Sequence, residues 1–310
     1  MTRLVVLILI GLLSVPVAAE TNQPDVVSGM PSWAWLVILF VFSFFLGIIA
    51  IVTGVGGGVL FVPIVGSFFP FHLDFVRGTG LLVALAGAIA ASPGLLKKGL
   101  ANIRLALPMA FIGSIFSIFG AIVGLSLPTE IVQTALGATI VIIVIIMALS
   151  RVSEFSNSKK SDPLSQALGI YGIYYEESLD RNISWKIQRT PFALLLFILI
   201  GFLAGMFGMG AGWANVPVLN LVLGAPLKIS VATSILILTV NGTAASWVYI
   251  NRGAVLPIIS IPAIAGMMLG TQIGVRILAK ARLRFVKWIM MGFLLLAGLR
   301  SLLKGLSLWS

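Results

Sequence analysis

The sequence predicts an all-α polytopic membrane protein of two inverted five-helix repeats, about ten transmembrane segments with glycine-broken helices. Three observations carry that prediction: an apolar composition, a duplication at constant offset, and an odd number of crossings in each half. Of the 310 residues, 59% are hydrophobic and 9% charged, too little charge to cover a water-facing surface. Apolar runs recur along the chain, most of them near the ~20 residues that a helix needs to cross hydrocarbon. Barrel strands would instead alternate in character over ~10-residue segments.

Aligned on itself at an offset of 154 residues, the chain superposes Gly47 on Gly201, Gly54 on Gly208, Gly56 on Gly210, Gly58 on Gly212 and Pro63 on Pro217. The register continues through Thr79 on Thr233, Gly99 on Gly253, Pro108 on Pro262 and Gly120 on Gly274. Chance pairs of Leu, Ile and Val are expected in apolar sequence, but these are mostly Gly, Pro and Thr, the mark of an internal duplication. Each half offers five apolar segments, about 33–52, 56–70, 75–95, 103–125 and 129–149, then about 191–207, 211–225, 228–249, 254–278 and 285–303.

If all ten cross and the chain starts outside, Lys97, Lys98, Arg104, the central stretch and the cluster Arg276, Lys280, Arg282, Arg284 and Lys287 fall inside. That distribution agrees with the positive-inside rule. Five crossings per half invert the second repeat about a pseudo-two-fold axis in the membrane plane, a frequent construction of secondary transporters. The expected organisation is therefore a signal peptide or extra helix over 1–19, a first repeat over 33–150, a cytoplasmic loop over 151–190 and a second repeat over 191–306. In that loop Asp162-Pro163 predicts a short helix through Leu168.

Several function classes are excluded by composition. The chain has no cysteine and one histidine, His72, so disulfides, thiolate chemistry and a histidine–cysteine metal site are absent, and no cofactor or metal is expected. A metalloenzyme reading loses ground because neither a ligand set nor an acid/base pair is present, and an enzyme is not expected. The net charge of +11 lies mostly in short connections between apolar runs, which is topology and not a nucleic-acid surface. The expected partners are the lipid bilayer and a small solute, and the expected location is the cell membrane, crossed many times.

The most informative residues are the paired runs from Gly54 to Pro63 and from Gly208 to Pro217, carrying Gly54, Gly56, Gly57 and Gly58 in one copy and Gly208, Gly210 and Gly212 in the other. Each such glycine costs a helix ~1 kcal/mol relative to Ala, and freed backbone groups survive in hydrocarbon only when buried in protein or facing a wet cavity. Two readings are open: close helix packing through small residues, or a broken helix whose next half-helix aims its amides at an anion.

Other residues add to the second reading. Asp74 and Glu130 are the only acids between Val26 and Ser153, and none follows Asp180, which weakens a cation pathway. Arg77 either anchors at the outer interface or meets an anion there. Thr79, Thr233 and Ser234 offer hydroxyls to an anion or to helix carbonyls, and Asn215, with Asn241 behind it, is a further polar candidate.

These paired glycine motifs in a ten-segment duplicated chain resemble the sulfite exporter TauE/SafE family, also called the toluene sulfonate uptake permease family, over roughly Leu46 to Gly298. The resemblance implies a five-plus-five inverted-repeat permease for sulfite, organosulfonates and related small organic anions. The chain departs from it in the long central loop, the N-terminal extension and Ala211, where the second motif loses a glycine. The expectation is a secondary transporter of small organic or sulfur-containing anions working by alternating access. An anion channel and a membrane-embedded sensor or assembly factor are the alternatives.

Overall fold

In the computed structural model the described residues are 32–53, 56–69, 71–149, 161–176, 180–278 and 283–306. The expected leader over 1–19 and the stretch 150–160 lie outside them. The first half gives α1 (Ser32–Thr53), α2 (Gly58–Phe68), α3 (Leu73–Lys97), α4 (Ile103–Ser126) and α5 (Thr129–Leu149). A central element follows: α6 (Pro163–Ala167) and an antiparallel hairpin of β1 (Tyr171–Glu176) and β2 (Arg181–Lys186), with Tyr171 opposite Lys186. The second half gives α7 (Thr190–Phe207), α8 (Gly212–Pro217) continuing as a π-helical turn Val218–Val222, α9 (Leu227–Asn251), α10 (Pro257–Leu278) and α11 (Leu283–Gly305).

The sequence offset is also an offset of elements. Helix starts at 58, 73, 103 and 129 reappear at 212, 227, 257 and 283. Gly56 and Gly210 both have positive φ, as do Gly99 and Gly253. Packing between the halves is reciprocal in the same way. A Cβ added to Gly201 on α7 would lie 2.8 Å from the Cα of Gly113 on α4, and one on Gly47 of α1 would lie 2.7 Å from the carbonyl oxygen of Met267 on α10. Residues 113 and 267 are themselves repeat partners. So are the contacts of Gly120 with Phe202 and of Gly274 with Ile48. The first helix of each half thus lies backbone to backbone on the fourth helix of the other, the close approach that small residues permit.

Among the described residues, seven helices are long and apolar enough to cross a membrane: α1, α3, α4, α5, α7, α9 and α10. The expectation was about ten. The shortfall has physical causes, since α2 is 11 residues long and rises only ~16 Å against a ~30 Å hydrocarbon core. Its counterpart α8 is shorter still before the π turn, and α11, 23 residues long, is described only in part. The outer faces are apolar, with Leu107, Phe111, Leu195, Trp247 and Leu296 exposed, whereas Arg77, Thr79, Asn215, Thr233 and Asn241 are buried. Polar inside and apolar outside is the arrangement that lipid demands.

The central segment is more than a connecting loop. Asp162 accepts from the backbone N–H of Ser165 (3.4 Å) and from the hydroxyl of Thr190 (2.9 Å), which caps α6 and ties it to the start of α7. The hairpin was not anticipated. Its inner face buries Tyr174 and Trp185, and the N–H of Gln188 donates to the carbonyl of Leu223 at 3.0 Å, so its base is fixed to the end of the π turn.

The glycine contacts give a direct test. Gly120→Ala or Gly270→Ala would drive a methyl into the backbone of Phe202 or Phe44, and each variant is expected to lose thermal stability in detergent. Gly292→Ala on α11 meets nothing within 4 Å and is expected to be neutral or to gain up to ~1 kcal/mol of helix propensity.

Candidate functional site

Both helix breaks converge on one point. A Cβ on Gly56 would lie 2.7 Å from Cδ1 of Leu238, and one on Gly210 would lie 3.1 Å from the same atom and 3.4 Å from the Cβ of Ala84. Ala84 and Leu238 are repeat partners near the middle of the 25-residue helices α3 and α9. The breaks therefore meet at mid-height of the two most buried long helices. Positive φ at both glycines (86° and 74°) is why a residue without Cβ stands there.

The neighbouring glycines close the centre. Gly58, which opens α2, comes within 2.5 Å (Cβ position) of the Met209 carbonyl oxygen and 2.8 Å of that of Gly80, and Gly57 faces the Met267 side chain and Val83. Gly208 lies against the backbone of Arg77, and Gly212 opens α8 as a buried residue. Gly54 lies outside the described residues. Neither half-helix start is capped by a side chain, since Gly57 and Ala211 occupy the N-cap positions. Leading amides of a helix without such a cap are available to another acceptor.

The hydroxyl candidates do not converge on this point. Thr79 pairs with the hydroxyl of Ser260 at 2.8 Å, whereas Thr233 accepts from the N–H of Asn102 at 3.1 Å. These equivalent threonines fasten the starts of α10 and α4. Ser234 is fully buried on α9. Asn215 is different: it is fully buried on α8, and both atoms of its amide lack a protein partner, as do those of Asn241 and the indole nitrogen of Trp213. Asn241 stands one turn beyond Leu238, and its amide abuts Gly113. An unpartnered buried amide carries a desolvation cost of ~1–3 kcal/mol, so these groups mark where a ligand or water would be stabilised.

Arg77 neither snorkels nor stands free at an entrance. Its guanidinium is fully buried and donates to Asp74 at 2.7 Å, to the carbonyl of Gly124 at 3.1 Å and to that of Met206. It also lies 5.6 Å from the ring of Tyr249, whose hydroxyl donates to the carbonyls of Gly205 (2.9 Å) and Met206 (3.2 Å). The last carbonyls of α7 are thus capped by a cation and a phenol, at the end where the helix dipole is negative. Sequence reasoning missed Tyr249 and the role of Asp74 as counter-ion. The i,i+3 spacing of Asp74 and Arg77 was the available signal.

Comparison with known proteins agrees with this architecture. The sulfite exporter TauE/SafE family model matches residues 37–301. The chain is similar to the probable membrane transporter protein YunE of Bacillus subtilis, 25% identical over 279 residues, covering 87% of this chain and 98% of that protein. It is also similar to a probable membrane transporter protein of Methanocaldococcus jannaschii, 28% identical over 272 residues, covering 79% and 88%. No solved structure matches significantly. Helices and relatives together identify a multi-pass membrane protein.

The capping cluster makes a prediction of its own. Asp74→Asn removes the counter-ion and leaves a buried guanidinium. The full effect of breaking a buried pair is ~3–5 kcal/mol, lessened here because Asp74 is 31% exposed. Asp74→Asn combined with Arg77→Met removes the uncompensated charge as well. Thermal denaturation of the single and double variants is expected to show non-additive losses, with the double variant more stable than the sum of the singles requires.

Proposed function

The chain belongs to the sulfite exporter TauE/SafE family of membrane transporters, and from that premise we propose that it is a secondary transporter of small organic or sulfur-containing anions. The observation that carries this reading is the meeting of the two glycine breaks at Leu238, with two half-helices starting from mid-height without side-chain caps. Helix starts carry partial positive charge, and discontinuous helices at a repeat interface are a recurrent place for anionic groups of substrates. The family's name, sulfite exporter, makes sulfur oxyanions the first substrates to test.

The reading includes an inverted topology and alternating access. In it the central segment faces the cytoplasm, α3 starts outside and α9 starts inside, so the breaks belong to repeats of opposite orientation. In this reading Gly56 and Gly210, which meet at Leu238, give the anion close backbone approach and Asn215 supplies donors beside it, while Gly58 and Gly208 pack against protein backbone. Thr79, Thr233 and Arg77 hold the surrounding helix ends in register.

Two measurements test this. In proteoliposomes, sulfite, sulfonates, sulfate and short carboxylates are compared for saturable uptake and counterflow. Gly56→Leu and Gly210→Leu are expected to abolish transport and the corresponding Ala variants to reduce it less. Folded Leu variants with wild-type affinity and rate would return these glycines to simple packing. For topology, cysteines at Ser184 in the hairpin and Ser126 at the end of α4, both exposed, are placed in this cysteine-free chain. They are expected to react with an impermeant reagent from opposite sides, and same-side labelling contradicts the inverted arrangement.

A further inference from the structure

Arg77 is the one buried charged side chain among the described residues, and it is already neutralised by Asp74, with two carbonyls on its terminal nitrogens and only Nε without a partner. The unpartnered groups nearest the breaks along the chain are neutral instead. Asn215 lies in the first turn of α8, directly after the Gly210 break, and Asn241 lies one turn past Leu238 on α9, the helix on which α8 packs. Trp213 shares that turn of α8 but, two residues from Asn215, faces another side of it. All three are at least nine-tenths buried, and their amide or indole groups have no protein partner.

Their repeat counterparts show that the fold does not require them. The positions equivalent to Trp213, Asn215 and Asn241 are Val59, Phe61 and Gly87, and the first two of these are buried in the apolar core. The same architecture is packed there with apolar side chains or none. Three polar groups confined to one repeat, left unsatisfied in the interior, therefore point to something other than helix packing.

Resting on the anion-transport reading above, we propose that the neutral amide of Asn215, with that of Asn241 on the neighbouring helix, forms a binding subsite that selects monovalent oxyanions over divalent ones. Desolvation grows as the square of the charge, so a dianion loses roughly four times the hydration free energy of a monoanion of the same size. Neutral N–H donors recover an amount only proportional to charge, and no unpaired buried cation is present among the described residues to offset the second charge. The two amide oxygens further suit a singly protonated oxyanion, because they accept from its O–H while the amide nitrogens donate to its other oxygens.

The test uses the purified full-length protein and two anions of similar size. Methanesulfonate stays monoanionic across the neutral range, whereas methylphosphonate passes from monoanion to dianion. Affinity for methanesulfonate is expected to be flat with pH. Affinity for methylphosphonate is expected to fall about tenfold or more as its second proton leaves, and sulfate is expected to compete poorly. The methanesulfonate arm also reports any titration of His72, Asp74 or Tyr249 near the α7 end, since its own charge does not change. Methylphosphonate binding equally well or better as the dianion, or sulfate competing as well as methanesulfonate, overturns the inference while leaving anion transport standing. No saturable binding of these anions or of sulfite overturns both. The near-isosteric Asn215→Asp is expected to weaken methanesulfonate by about tenfold or more. A folded Asn215→Asp protein with wild-type affinity removes Asn215 from the subsite.

Discussion

A helix that ends inside a low-dielectric interior leaves carbonyls that water cannot reach, and the rest of this structure depends on how those at the end of α7 are satisfied. Arg77 reaches the Met206 carbonyl from α3, and Tyr249 reaches the Gly205 and Met206 carbonyls from α9. The first comes from one repeat and the carbonyls from the other, so the contact that ends the helix also joins the halves. It further fixes where Gly208 lies, against the backbone of Arg77, and so where the second glycine run begins its path toward the centre. A lysine could place a charge there, but not a planar fork able to hold Asp74 and two carbonyls at once.

The residues of this closure have no counterpart in the other repeat. The positions equivalent to Asp74, Arg77 and Tyr249 are Lys228, Val231 and Leu95, so the duplication keeps the backbone plan while the polar chemistry has diverged. The same is true at the centre, where Asn215 and Asn241 stand opposite Phe61 and Gly87 in the repeat register. Backbone features, by contrast, are kept in both copies: positive φ at Gly56 and Gly210, and glycine-mediated contact between first and fourth helices. A duplicated fold needs its close approaches twice, but a site needs its donors only where the ligand rests.

That division explains what the amino-acid pattern could reveal. Glycine and proline at a constant offset report backbone geometry directly, so the two glycine runs and the approximate segment starts are legible in the pattern, whereas the reciprocal packing of first on fourth helices is not. The destination of Arg77 was not legible, because an arginine near a segment end reads equally as an interface anchor, an anion ligand or a helix cap. Only the third dimension brings Met206 beside it, 129 residues along the chain. Thr79 and Thr233 matched as hydroxyls, yet their partners Ser260 and Asn102 lie in other helices. The hairpin of the central segment escaped because its strands are short and only the buried Tyr174 and Trp185 mark its inner face.

The close packing at the centre also limits how the proposed cycle can open. Gly58 stands against Met209 and Gly80, and Gly56 and Gly210 share Leu238, so the central glycines leave no room for added atoms without displacement. The helices best suited to move as rigid pairs are those joined backbone to backbone, α1 with α10 and α4 with α7. Each pair links the first helix of one repeat to the fourth of the other, and each first helix leads directly into a break. Displacing one pair relative to α3 and α9 would therefore carry its own break away from Leu238 while the other stays seated. Moving the α4–α7 pair would have to break the hydrogen bonds of Arg77 and Tyr249 to the end of α7 and would also separate Gly113 from the amide of Asn241. Opening at one break and exposure of a buried donor would then be a single motion.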